Sequence, residues 1–175
     1  HSYISVLPYN ELGAAAAAYN ADENELCRLD EIYSAVKTPF EIRSGSEKVT
    51  RRFFKICNNG QESFTGLYKN LTEQGICKGH QCIAYGLYMR DNGIELSEGL
   101  AVYGYSICSA IVTNCVKLVP LSQLAGQKIL GESFELISSA SEKALFTDIN
   151  DIGISGAGFD LRAMQHERLY SRQYM

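Results

Sequence analysis

Tryptophan is missing from this 175-residue chain, and proline and histidine occur only three times each. Basic residues are in deficit, 16 Lys and Arg against 20 Asp and Glu, for a formal charge of -4. Affinity driven by nucleic-acid phosphates needs a basic face, so this balance argues against a general nucleic-acid binder. Also wanting is an uninterrupted apolar run of the roughly 20 residues that a membrane span takes. The nearest candidate, "AVYGYSICSAIVTNCVKLV" (101–119), is interrupted by Gly104, Asn114 and Lys117 and reads as a buried helix instead. The opening "HSY" has no basic stretch leading into an apolar one, so no secretory signal is expected there. Neither a Walker A loop nor a dinucleotide fingerprint occurs. "GISGAG" (153–158) lacks the following Lys-Ser/Thr and follows no strand. Alternating β-branched runs bounded by hairpin turns are absent too.

What is present is helical. "NELGAAAAAYNADENELCRLDEIYSAVK" (10–37) is rich in Ala, Leu and Glu and divides near Asn20–Asn24 into two helices. Asn20 or Asp22 caps the second, with Glu23 and Glu25 where the helix dipole favours acids. Pro39 suits the first turn of a third helix, whose buried side is expected to hold Phe40, Val49, Phe53, Phe54 and Ile56. A weaker helix covers "ESFTGLYKNL", and "HQCIAYGLYMRDNG" (80–93) is a helix stopped by Asn92-Gly93. Ser97 and Glu98 open the long 97–119 helix, Pro120 breaks it, and a further helical run follows to Leu145. The expected fold is all-α: a single-domain helical bundle over 1–145 with a flexible C-terminal tail.

Chemistry-bearing constellations are few. "CKGHQC" sets Cys77, His80 and Cys82 within six residues, ligand types suited to zinc, nickel or copper. The spacing has no second half, and a helix entrance with Cys82 facing the core is the plainer reading. His1, His80 and His166 sit in no recognisable nucleophile signature. The six cysteines are numerous enough for three disulfides, but several lie among apolar residues of helices and are read as reduced, in a cytoplasmic protein. Lys117, Gln123 and Gln127 surround Pro120, the two glutamines a helical turn apart on one face. They line either a polar cavity or the solvent.

After Leu145 the composition changes. "FTDINDIGISGAGFD" (146–160) reads as a Gly-rich linker to "LRAMQHERLYSRQYM" (161–175). Tyrosines are amphipathic anchors and arginines fixed donors, so 161–175 reads either as a segment that orders on a partner or as a last helix folded back on the bundle.

"NCVKLVPLSQLAGQKIL" (114–130), followed by "LRAMQHERLYSRQYM", resembles the UreF family of urease accessory proteins. "HQCIAYGLYMRDNGI" looks like that family's His-containing Tyr/Phe-Gly helix, and "PFEIRSGSEKVTRRFFKI" is similar to its Glu-x-Arg-x-x-Ser helix. The likeness runs from about Ala14 to the C-terminus. "HSY" matches a family element too, but the stretch and helix expected around it are not seen, so the N-terminal element is expected to be incomplete. The resemblance implies a non-enzymatic, all-helical chaperone of nickel-enzyme maturation. Its partners would be UreD/UreH, the GTPase UreG and apo-urease, with nickel handled by the complex and no cofactor permanently bound. It also implies a homodimer using Tyr105 and Ala101, although the family often has arginine at the latter. Arg172, Lys117, Gln123 and Gln127 match residues tied to GTPase recruitment or regulation. Met164, His166, Arg168, Leu169, Tyr170 and Tyr174 fall in the UreD/UreH-binding tail. The alternative is a small nickel-binding metallochaperone using Cys77, His80 and Cys82.

Overall fold

The two helices expected over 10–37 form as α1 (Glu11–Asn20) and α2 (Glu23–Val36). Asp22 divides them: its carboxylate accepts the Glu25 N–H at 2.9 Å while the Glu25 carboxylate accepts the Asp22 N–H at 3.0 Å. Such a reciprocal cap contributes on the order of 1 kcal/mol. The remaining helices are α3 (Phe40–Ile56), α4 (Phe64–Glu73), α5 (Gln81–Asp91), α6 (Leu96–Leu118), α7 (Gln123–Glu132), α8 (Phe134–Ala144) and α9 (Ala157–His166). The computed structural model describes residues 2–57, 60, 62–154 and 156–169, and strands are absent among them. The fold is the expected all-α bundle.

Helix α1 lies at its centre. Its alanines leave the backbone uncovered, and α5 packs along it so closely that a Cβ at Gly86 would overlap the Ala15 carbonyl oxygen. Around this pair, Leu12, Leu26, Leu29, Tyr33, Ile83, Leu87, Met89 and Leu100 fill the core. A 3-10 helix, Ile4–Tyr9, closes the side formed by α1 and α8. Ser63 caps α4 through the Gly66 N–H, and Asp91 adds its two oxygens to the Phe64 and Thr65 N–H groups. The first turn of α4 is thereby tied to the end of α5.

Five sequence expectations change. Pro39 is the N-cap of α3 rather than part of its first turn. Of the apolar residues assigned to the buried side of α3, Phe54 is buried and Phe53 packs against the core, but Phe40, Val49 and Ile56 face solvent. Phe40 lies on the opposite side of α3 from Val49 and Ile56, so the three do not form one buried face.

Helix α6 is not a buried helix along its length. Leu100, Tyr103, Gly104 and Cys108 enter the core, whereas Val102, Tyr105, Ile111 and Leu118 are exposed. Its 23 residues are also long and apolar enough, by length and composition, to cross a membrane, contrary to the expectation that no such run exists. The polar interruptions are too few to lower the average.

Finally, the described part of 146–160 is not an open tether. Ile149–Asp151 form a 3-10 turn, Ile152 is buried, and the Gly153 N–H donates to the Tyr9 carbonyl at 2.8 Å. The Asn10 side-chain amide also donates to the Ile154 carbonyl at 3.0 Å. Isoleucines spaced among the glycines and polar residues supply apolar anchors that composition alone disguises.

Candidate functional site: surfaces and a buried polar knot

The C-terminal segment turns back toward α3. His166 Nδ1 lies 2.6 Å from Glu41 Oε2, and the Phe40 N–H donates to Glu167 Oε1 at 2.9 Å. Tyr3 meets Phe159 edge-on, with ring centroids 5.8 Å apart. Yet none of the residues of α9 is buried, and Leu161, Met164 and Leu169 remain exposed. The helix is held by a few polar contacts and keeps its apolar side chains available. Arg168 is exposed as well. Tyr170, Arg172 and Tyr174 lie outside the described residues.

A second apolar surface runs across α6 and α8. Tyr105 is 41% exposed, and its ring centroid lies 5.8 Å from that of Phe134, itself 54% exposed. Val102 extends the patch, and Ala101, a turn before Tyr105, is half-buried. Helices α6 and α8 approach closely because Gly104 offers no side chain: a Cβ there would stand 3.0 Å from Ile137 Cγ2. That approach brings Phe134 alongside Tyr105.

Pro120 separates α6 from α7, as the sequence indicates, and Ser122 caps α7 by accepting the Ala125 N–H at 3.1 Å. Gly126 faces Val112 and Val116, so α7 folds back on the end of α6. Lys117, Gln123 and Gln127 all point to solvent. Of the two environments open to them, the surface is the one observed.

Cys77, His80 and Cys82 are not brought together. Among the described residues no three His, Cys, Asp or Glu side chains converge to hold a metal. Cys77 faces Cys27, with the sulfurs 3.8 Å apart. Cys82 is buried beside Tyr33, and burial pushes its thiol up to about 12. His80 is fully buried and shares a 2.8 Å hydrogen bond from Nε2 with Ser34 Oγ, while its Nδ1 has no partner. Burial lowers its pKa, outweighing the opposite pull of Asp30 and Glu47.

Sequence reasoning missed the group that organises this region. Asp30, 2% exposed, accepts the Tyr68 hydroxyl at 2.6 Å and the N–H groups of Lys78 and Gly79 at 2.7 and 3.1 Å. The Tyr68 oxygen in turn accepts the His80 N–H at 2.8 Å. Burial and the Asp30 carboxylate keep Tyr68 protonated, as a donor must be. One signal was available: Asp30 falls in register with Leu26 and Tyr33 on the core face of α2, where an acid needs buried partners.

Nearby, a cavity of about 300 Å³ is lined by Tyr3, Glu11, Tyr33, Lys37, Cys82 and Tyr103, among others. Lys37 Nζ and Glu11 Oε1 are paired at 2.6 Å on its wall. Its lining offers hydroxyls, a closed ion pair and a protonated thiol.

The UreF family model matches residues 4–133. The chain belongs to the UreF family of urease accessory proteins. It is 32% identical over 172 residues to the urease accessory protein UreF of Actinobacillus pleuropneumoniae serotype 5b (strain L20), covering 95% of this chain and 76% of that protein. With the UreF of Haemophilus influenzae (strain ATCC 51907 / DSM 11121 / KW20 / Rd) it shares 34% over 173 residues, covering 95% and 73%. The UreF of Paenarthrobacter aurescens (strain TC1) is 30% identical over 151 residues, covering 84% and 66%. In this UreF-family chain the family match extends through α7 and therefore includes Tyr105, Lys117, Gln123 and Gln127. The C-terminal segment lies beyond the family model, whereas the alignments to the Actinobacillus and Haemophilus relatives cover 95% of the chain.

Proposed function

We propose that this chain is a non-catalytic chaperone of urease maturation. It bridges a UreD/UreH partner and the GTPase UreG and supports nickel insertion into apo-urease. Family membership supports the process, and one structural observation supports the mode. The C-terminal segment carries exposed Phe159, Leu161, Met164 and Leu169 and is tethered to α3 by hydrogen bonds that water can replace. A helix so poised docks by laying its apolar residues into a partner groove.

Two further surfaces complete the reading. The Val102–Tyr105–Phe134 patch is the homodimer contact, with Ala101 at its edge. Lys117, Gln123 and Gln127, exposed around the α6–α7 break, face the GTPase together with Arg172. Nickel passes through the assembled complex and is its cargo, and the protein acts in the cytoplasm. Co-purification of the chain with UreD/UreH and UreG, with stoichiometry by light scattering, tests the bridge. A ternary complex is expected, and capture of either partner only in the absence of the other would overturn it.

A further inference from the structure

Cys27 and Cys77 are 50 positions apart in sequence, yet their sulfurs lie 3.8 Å from each other. Cys27 sits half-buried on α2, and Cys77 lies in the turn between α4 and α5. That turn is fixed at both ends. The Cys77 N–H donates to the Leu71 carbonyl at 3.2 Å, and the next two N–H groups, of Lys78 and Gly79, are held by Asp30. Asp30 lies three residues after Cys27 on the same helix, so α2 and the turn already move as one. Closing a disulfide brings the two sulfurs from 3.8 Å to roughly 2.05 Å.

We propose that Cys27 and Cys77 are an oxidisable dithiol that closes into an intramolecular disulfide on reaction with a peroxide. The more accessible Cys27 reacts first. As a thiolate it attacks one peroxide oxygen, the O–O bond breaks, and after proton transfer Cys27 is a sulfenic acid and one water has left. The Cys77 sulfur then attacks the Cys27 sulfur, the S–O bond breaks, and the Cys77 proton leaves with the hydroxyl as a second water. The two thiols lose two electrons and hydrogen peroxide gains them. Burial, with Asp30 alongside, keeps Cys77 protonated well beyond the ordinary thiol range, so Cys27 is the one that meets the peroxide first. The product pins α2 to the turn that sets the start of α5, closing a loop of about 50 residues and restricting the unfolded chain accordingly. Cys115, exposed at the far end of α6, serves as an internal standard.

The test uses the whole chain with Cys115 present. It is treated with hydrogen peroxide at a dose that oxidises Cys115, alkylated, digested without reductant and mapped by mass spectrometry. A peptide pair joined through Cys27 and Cys77 is expected, about 2 Da lighter than the two reduced peptides together. The melting temperature should rise by several degrees and fall back with dithiothreitol. Cys27→Ser and Cys77→Ala should each abolish both effects, with circular dichroism confirming their helices. Free, alkylatable Cys27 and Cys77 in wild-type protein whose Cys115 is already oxidised would overturn the proposal. So would a link from either to a different cysteine.

Discussion

The Tyr68 hydroxyl donates to the Asp30 carboxylate at 2.6 Å in the interior of the bundle and simultaneously accepts the His80 N–H at 2.8 Å. Through this relay three elements, α2, α4 and the start of α5, share one set of hydrogen bonds. Removing a single member leaves the others buried and unpaired, a larger loss than the bond itself. Asp30→Ala strands three donors and should destabilise the protein by about 3–5 kcal/mol, whereas Tyr68→Phe should cost about 1–3 kcal/mol. Urea unfolding followed by circular dichroism measures both, and losses under about 0.5 kcal/mol would show that water reaches the site.

His80 gives the fold a pH dependence. Its folded pKa lies below the ordinary 6.5 because burial disfavours the cation, assisted by Lys37 and Arg43 and opposed by Asp30 and Glu47. As pH falls through 6.5, the unfolded chain takes up a proton that folded His80 refuses, so stability declines between about pH 7 and pH 5. His80→Gln removes the titration. The urea midpoint of that variant should fall less across this interval than the wild-type midpoint. Parallel curves would remove His80 from the account.

Gly86 sets the spacing of the central helix pair. Any side chain there meets the Ala15 backbone rather than a flexible tip, so neither helix yields easily. Gly86→Ala should destabilise by about 1–3 kcal/mol despite its better helix propensity. Gly131, where a Cβ meets nothing within 4 Å, is the control: Gly131→Ala should be neutral or slightly stabilising by denaturant titration.

Tyr105→Asp should yield a monomer by light scattering, because a carboxylate buried in an apolar contact is costly. Its melting temperature should stay close to wild type, since the ring is already 41% exposed in the single chain. A dimer of unchanged affinity would place the contact elsewhere.

Deleting residues 160–175 should leave the bundle folded, because no residue of α9 is buried. Exposed polar contacts such as His166–Glu41 contribute at most about 1 kcal/mol. The truncated chain should fail to capture UreD/UreH in a pull-down, and retained capture would sink the docking role of the tail. Arg172→Ala should weaken GTPase recruitment with little change in thermal stability; an equal loss of folding would make that arginine structural instead.

Much of the fold is legible in the chain itself. Asp22 with Glu25, Asn92-Gly93 and Pro120 mark helix ends by local chemistry that needs no tertiary partner. The family likeness is equally a property of the sequence, carried by residues such as those around Pro120. Less legible were the burial assignments. Phe54 and Ile56 are two residues apart, on opposite sides of α3 at 3.6 residues per turn, so one buried side was never able to hold both: Phe54 is in the core and Ile56 is 81% exposed. Helical periodicity says which residues share a face, and only a neighbouring helix decides whether that face is covered.

The site candidates divide along the same line. Cys77, His80 and Cys82 are close enough in sequence to suggest a cluster, but the plainer reading, a helix entrance with Cys82 facing the core, is the one observed. The turn into α5 aims them at Cys27, Ser34 and Tyr33 respectively. The sequence by itself determined the helices, several of their ends and the family. Tertiary structure alone decided that Asp30 would meet Tyr68 and that Cys27 would meet Cys77, because such contacts between distant residues depend on how closely helices pack. Here Gly86 and Gly104 let the helices come together.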